Sequence, residues 1–256
     1  MKRALLAFVA PLVGLVIVLT LLATPVVAGA QGQWQTPGRS AWQVGSWRGS
    51  EPDLSLVHGV PGLNVDIYVY KNVFSVKKLS DVTFGTVADL GADFPGWVTP
   101  GFYVVEVVPT GASPCQPLLE TTVLLGWGQN KTVAAYVTAS PSGSPGTPTL
   151  AAFSNDVAST AGAARVTVRH LAVAPTVGVY ADGSVAVTPA FSNGQSTEAG
   201  VPAGSYDVTV TAPNTPSTVL DDLGAVSLPA NTNTLAFAIG TYPSTFNVVT
   251  LQIPTR

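Results

Sequence analysis

From Leu54 onward, apolar and polar residues alternate at period two, in short runs rich in Val, Ile, Tyr and Thr that turn residues separate. Asn64 to Tyr70 sets Val65, Ile67 and Val69 on one face against Asp66, Tyr68 and Tyr70 on the other. The same alternation predicts strands over 102–108, 120–125, 132–138, 165–170, 177–180, 206–211, 219–228 and 234–239. No segment after residue 30 keeps a helical period over three turns, so the fold is predicted to be all-β.

Two stretches repeat. Leu56-Val57-His58 followed by Val65-Asp66-Ile67-Tyr68-Val69 returns 112 positions later as Val168-Arg169-His170 followed by Val177-Gly178-Val179-Tyr180-Ala181. Nine residues separate the histidine from the tyrosine in both. Pro100-Gly101-Phe102-Tyr103 returns at an offset of 103 as Ala203-Gly204-Ser205-Tyr206, so the first copy carries about nine extra residues between the anchors. The expectation is two tandem immunoglobulin-like or prealbumin-like β-sandwiches, at 51–156 and 164–256, joined by a linker at 157–163. The Pro/Gly/Ser tract 139–148 then reads as an enlarged hairpin loop inside the first domain, because 149–153 aligns with the last strand of the second. On this reading the two domains fold independently.

The N-terminus adds a different pattern. Met1-Lys2-Arg3 precedes an uncharged run from Ala4 to Ala23, and Ala28-Gly29-Ala30 offers a small-residue cleavage site, so residues 1–30 read as a signal peptide. Left uncleaved, residues 4–23 are long enough to anchor the chain in a membrane. Cleavage takes the net charge from −3 to −5. No basic cluster exceeds Lys77-Lys78, which argues against nucleic acid. Residues 31–50 form a linker with Trp34, Trp42 and Trp47, the candidate binding residues for a sugar or protein surface. Cys115 is the single cysteine, so no intramolecular disulfide forms, and it is expected to be a small buried residue.

Candidate chemistry is sparse. His58 and His170 are the only histidines, each at the end of a first strand where an imidazole can bond turn carbonyls, and they are read as structural. The alternative is a metal-assisted or carboxylate hydrolase using either of them. The carboxylates Asp66, Asp81, Asp89, Asp93, Glu106, Glu120, Asp207, Asp221 and Asp222 show no spacing that selects a pair, and Asp221-Asp222 reads as a solvated turn. Asn130-Lys131-Thr132 fits an N-glycosylation pattern but reads as a hairpin turn. Gly101 and Gly204 are expected at positive φ before their tyrosines. No catalytic, cofactor-binding or metal-binding residue is assigned, and no cofactor is expected.

His58, Pro61, Val65 to Val69 and Pro100 to Tyr103 in the first copy, with His170, Pro175, Val177, Val179-Tyr180, Asp182-Gly183 and Pro202 to Tyr206 in the second, resemble the bacterial domain-of-unknown-function family 4397. The resemblance covers 53–153 and 165–253, departing at Gly178 where the pattern has Asp. It implies exported β-sandwich modules, often in tandem, and no known reaction. The chain is therefore expected to be an exported, non-catalytic protein that binds or displays toward an envelope glycan or protein partner. A purely structural spacer is the remaining alternative.

Overall fold

The computed structural model describes residues 51–256 except 73, 74 and 160. The signal-peptide reading and Trp34, Trp42 and Trp47 lie outside the described residues.

The first copy comprises β1 (Asp53–His58), β2 (Val65–Asn72), β3 (Ser75–Val82), β4 (Val87–Asp89), α1 (Leu90–Asp93), β5 (Gly101–Pro109), β6 (Leu119–Leu125), β7 (Asn130–Ala139) and β8 (Pro145–Asn155). The second comprises β9 (Ala164–His170), β10 (Val177–Ala181), β11 (Val185–Phe191), β12 (Ser196–Val201), β13 (Gly204–Ala212), β14 (Thr215–Leu228), β15 (Thr232–Ile239) and β16 (Asn247–Pro254). Each copy is a sandwich of two four-stranded sheets. In the first, an inner sheet β4-β1-β7-β8 faces an outer sheet β3-β2-β5-β6; in the second, an inner sheet β12-β9-β15-β16 faces an outer sheet β11-β10-β13-β14.

The two repeat offsets hold at the level of register. Asp53 pairs with Asn130 where β1 runs parallel to β7, and Arg165 pairs with Asn233 where β9 runs parallel to β15. Ile67 pairs with Val107, and Val179 with Val210. The two tyrosines also match: the Tyr103 hydroxyl donates to Thr99 O at 2.5 Å and the Tyr206 hydroxyl to Pro202 O at 2.7 Å, each reaching back four residues. Gly101 has φ +150°, whereas Gly204 has no positive φ, so only the first copy needs glycine at that position.

Strand alternation assigns every side chain to a layer. Leu54, Leu56, Val133 and Leu90 from the inner side meet Val65, Ile67, Val69, Tyr103 and Val105 from the outer sheet of the first sandwich. The opposite face of the same inner sheet is apolar too. Val57, Ala134, Tyr136, Ala151 and Phe153 pack against Leu235, Phe237, Ile239, Val249, Leu251 and Ile253 of the second inner sheet. The molecule is thus four layers, outer-inner-inner-outer, with a shared core between the two copies. Each fully buried Leu, Ile, Val or Phe there contributes about 1.5–3 kcal/mol relative to exposure. This revises the expectation of independent folding, because separating the copies would bare the whole middle layer.

Both ends of this junction are tied. The tract 140–144 is the tip of the β7–β8 hairpin, and it docks on the second copy through Thr176 N to Pro141 O at 3.0 Å. Asn193 of the second copy donates to Val137 O at 3.0 Å and accepts from Ala139 N at 3.1 Å. At the far end the Arg256 guanidinium donates to Glu51 O at 2.9 Å and Gly128 O at 3.1 Å.

Three local expectations are corrected. Cys115 is exposed, in the β5–β6 connection outside both sheets. Asn130 is not a turn but the buried first residue of β7, where its carboxamide oxygen accepts from Asn155 at 2.5 Å. Asp221-Asp222 lies within β14 rather than in a turn, at an irregular stretch where the Asp222 carboxylate caps Gly224 N at 2.9 Å.

Candidate functional site

The histidines close the first strand of each copy. His58 Nε2 lies 2.8 Å from Leu63 O and His170 Nε2 lies 3.0 Å from Pro175 O, carbonyls at equivalent places five residues on. A carbonyl can only accept, so Nε2 carries the proton in both rings. Burial holds both imidazoles below their ordinary pKa, partly offset by the bond to the carbonyl. Both are therefore neutral, and Nδ1 is an acceptor lone pair that no described residue engages. The geometry fits a clamp on the following loop.

Asp66, the first acid after His58 in sequence, serves a different loop. Its carboxylate accepts from Asp81 N at 2.9 Å and Gly111 N at 3.2 Å and pairs with Lys78 at 2.8 Å. The Lys78 bond and the two backbone N–H groups hold its pKa below the usual carboxylate value. At the equivalent Gly178 a Cβ would meet Pro189 O, Thr211 Oγ1 and the Tyr180 ring, each at 2.9 Å, so the second copy has no room for a side chain there. Asp53 and Asp89 form an acid pair. Burial and the neighbouring Asp89 push the Asp53 carboxyl up to about 7, against the Leu54 and Gly91 N–H groups that favour its charge. Among the described residues no three of His, Cys, Asp and Glu converge to hold a metal ion.

The charged group at the centre of the molecule is Arg169, which is 1% exposed. It replaces Val57 of the first copy and points into the junction. Its Nη2 donates to Asn155 Oδ1 at 2.6 Å and Ser154 O at 3.0 Å, while its guanidinium carbon lies 4.9 Å from the Phe153 ring centre and 5.3 Å from that of Phe237. One ring comes from each copy. Asn155 passes the network to Thr132 at 3.0 Å. Burial lowers the Arg169 pKa to about 10, with Glu198 opposing, so it remains charged at neutral pH.

The outer sheet of the first sandwich presents a surface that sequence reasoning missed. Phe102 and Leu124 sit directly opposite each other on the solvent side, 64% and 52% exposed, and Trp127 follows in the β6–β7 turn at 71%. In the second copy the same opposed pair is Ser205 and Ser227. The signal was available in the repeat alignment: two outward positions change together from serine to large apolar residues.

A family model for the domain of unknown function DUF4397 matches residues 52–180, half of the chain. The chain belongs to this family. The DUF4397 match takes in the whole first copy and ends at Tyr180, the tyrosine that closes the repeat anchor in the second. No curated protein matches the sequence. Among solved structures, a candidate cell-adhesion protein from Bacteroides ovatus aligns at 9% identity and a TM-score of 0.25, covering 80% of this chain and 98% of that one. The Bacillus anthracis TIE protein aligns at 10% identity and a TM-score of 0.21, covering 75% of this chain and 33% of its own. At these values neither alignment bears on what a DUF4397 protein binds.

Proposed function

We propose that this chain is an exported, non-catalytic binding protein of the cell envelope, contacting a glycan or protein partner through the outer face of its first sandwich. The observation that carries the reading is the exchange of Ser205 and Ser227 for Phe102 and Leu124 at paired, solvent-facing positions, with Trp127 alongside. Exposed rings offer flat apolar faces to a sugar ring or an apolar side chain, and their burial by a partner recovers the cost of leaving them in water. The bonding of the polar groups supports this over a hydrolase. His58 and His170 each commit Nε2 to a carbonyl of the following loop, and the Asp66 carboxylate is taken up by Asp81 N, Gly111 N and Lys78. On this reading the contact surface is a sheet face.

The test installs the second copy's residues in the first. Phe102→Ser with Leu124→Ser is expected to reduce co-sedimentation with isolated cell envelopes at least tenfold while leaving the urea midpoint unchanged, since both side chains are exposed. Envelope binding undiminished in the folded double variant would overturn the proposal. Digesting the envelopes with protease or with glycosidases beforehand separates the two partner classes.

A further inference from the structure

The two sandwiches are filled differently. Beside His58 the first has a cleft of about 220 Å³ reaching Val65, Val107, Ala135 and Leu118. The second has a cavity of about 210 Å³ beside the equivalent His170, reaching Val177, Val210, Ala238 and Asp221. These four positions correspond one to one across the repeat. In the first sandwich the void stops there, because Leu90, Phe94, Trp97 and Val98 close the opposite end of the core. In the second, only Pro202 and Ala203 connect β12 to β13, so that plug does not exist. The cavity continues between the sheets to Val201, Leu228 and Thr234.

Val and Ala make up most of the wall, with Leu, Phe and Tyr side chains among them, yet a bonding atom without a partner waits toward each end. His170 is 1% exposed with Nδ1 unengaged, and Thr234 is 2% exposed with Oγ1 unengaged. His170 pairs across the sheet with Ala238, four residues along β15 from Thr234, a separation of about 13 Å at strand rise. An apolar cavity of about 150 Å³ accommodates benzene, which scales to about eight carbons for this one. The titratable wall groups are His170, Tyr206, Tyr242 and, at the rim, Asp221, a carboxyl that burial pushes up and that disfavours an anionic ligand.

We propose that the second sandwich binds an uncharged linear molecule of about eight carbons, with a hydroxyl that donates to His170 Nδ1 and a second polar end that meets Thr234 Oγ1. The entrance lies where Leu220 and Tyr242 are partly exposed at the His170 end, bridged by the Tyr242 hydroxyl donating to Leu220 O at 3.4 Å. The ligand makes the two bonds the fold leaves open and fills space that the first copy fills with its own residues. This site is separate from the outer face of the first sandwich.

The test titrates the full chain with octane-1,8-diol, octan-1-ol and octanoate at neutral pH, by calorimetry. Saturable binding is expected in the order diol, alcohol, octanoate. Ala236→Leu, which fills the cavity from the inner sheet, is expected to abolish it. Thr234→Val keeps the shape and is expected to weaken the diol three- to tenfold with little effect on the alcohol, one neutral hydrogen bond being worth that much. Absence of saturable binding overturns the proposal. So does diol binding that survives in a folded Ala236→Leu chain, which would place it elsewhere, or equal affinity for diol in Thr234→Val and the parent, which would leave a merely apolar void.

Discussion

The two sandwiches share strand order, register and histidine clamps, yet one core is closed by its own insertion and the other is left open. The nine extra residues of the first copy are spent on α1 and the segment after it, where Trp97 stacks edge-on against Tyr103 at 5.6 Å and donates to Ser75 Oγ at 2.8 Å. Tyr103 is thereby fully buried, whereas the equivalent Tyr206 is only half-buried over the open end. A duplicated fold can keep its hydrogen-bonded frame while its interior diverges, since the frame depends on backbone pairing and the interior on side-chain volume.

That contrast can be broken by removing equal volume from each core. Leu90→Ala is expected to cost about 4 kcal/mol, toward the upper part of the usual range for a leucine truncated in a filled core. Leu228→Ala, buried on the wall of the second cavity, is expected to cost nearer 2 kcal/mol, because fewer neighbours surround the atoms removed. Urea unfolding of both variants measures the difference. Equal costs would mean that the second core is packed as tightly as the first.

The junction supplies the next test, asking whether two dissimilar cores behave as one unit. Trp97 and Trp127 are the tryptophans among the described residues and both lie in the first sandwich, so in a parent chain carrying Trp34→Phe, Trp42→Phe and Trp47→Phe their fluorescence follows that sandwich, while far-ultraviolet circular dichroism follows both. The shared middle layer predicts coincident transitions in the parent chain. Arg169→Ala strands Ser154 O and Asn155 Oδ1 without their donor and is expected to cost about 2–3 kcal/mol and to separate the two signals. Arg169→Met strands the same two acceptors but removes the buried charge and keeps a long side chain between the Phe153 and Phe237 rings, so it is expected to cost about 1 kcal/mol less than the alanine variant. If the alanine variant unfolds with the parent's midpoint, Arg169 does not hold the copies together.

Much of the frame was legible in the sequence, and the reasons for the gaps are physical. Strands such as β2 and β13 alternate apolar and polar residues, so period two is plain. β3 and β12 read SVKKLSDV and STEAGV; they lie at sheet edges where the inward face is only half-buried and carries few large apolar residues, so the signal fades. The inner strands carry apolar residues on both faces, which the sequence shows in Leu54 to Val57 and Leu235 to Ile239, but periodicity cannot say that the second face meets another copy of the same sheet. Arg169 was hidden for a related reason: a lone arginine in a strand ordinarily faces solvent. The histidine clamps were legible because the repeat held them at one spacing, whereas the cavity depends on the residues the second copy lacks.

The smallest expected effect concerns pH, and it sharpens the comparison by setting a group found in one copy against a pair found in both. His58 and His170 have pKa values lowered by burial, so each stabilises the fold fully above the unfolded value of about 6.5 and loses that contribution as pH falls through its folded pKa. Asp53, raised from 3.8 to about 7 by burial and Asp89, works in the opposite sense: its contribution is full below 3.8 and is lost as pH rises through about 7. Two histidines against one carboxyl place the optimum near pH 6.5. Asp53→Asn is expected to turn that optimum into a plateau above pH 6.5. His58→Gln combined with His170→Gln is expected to make stability fall steadily from pH 4 to 7. Urea midpoints across pH 4–8 decide between these, and an optimum that stays put in both variants would show that neither the clamps nor the acid pair sets the pH response.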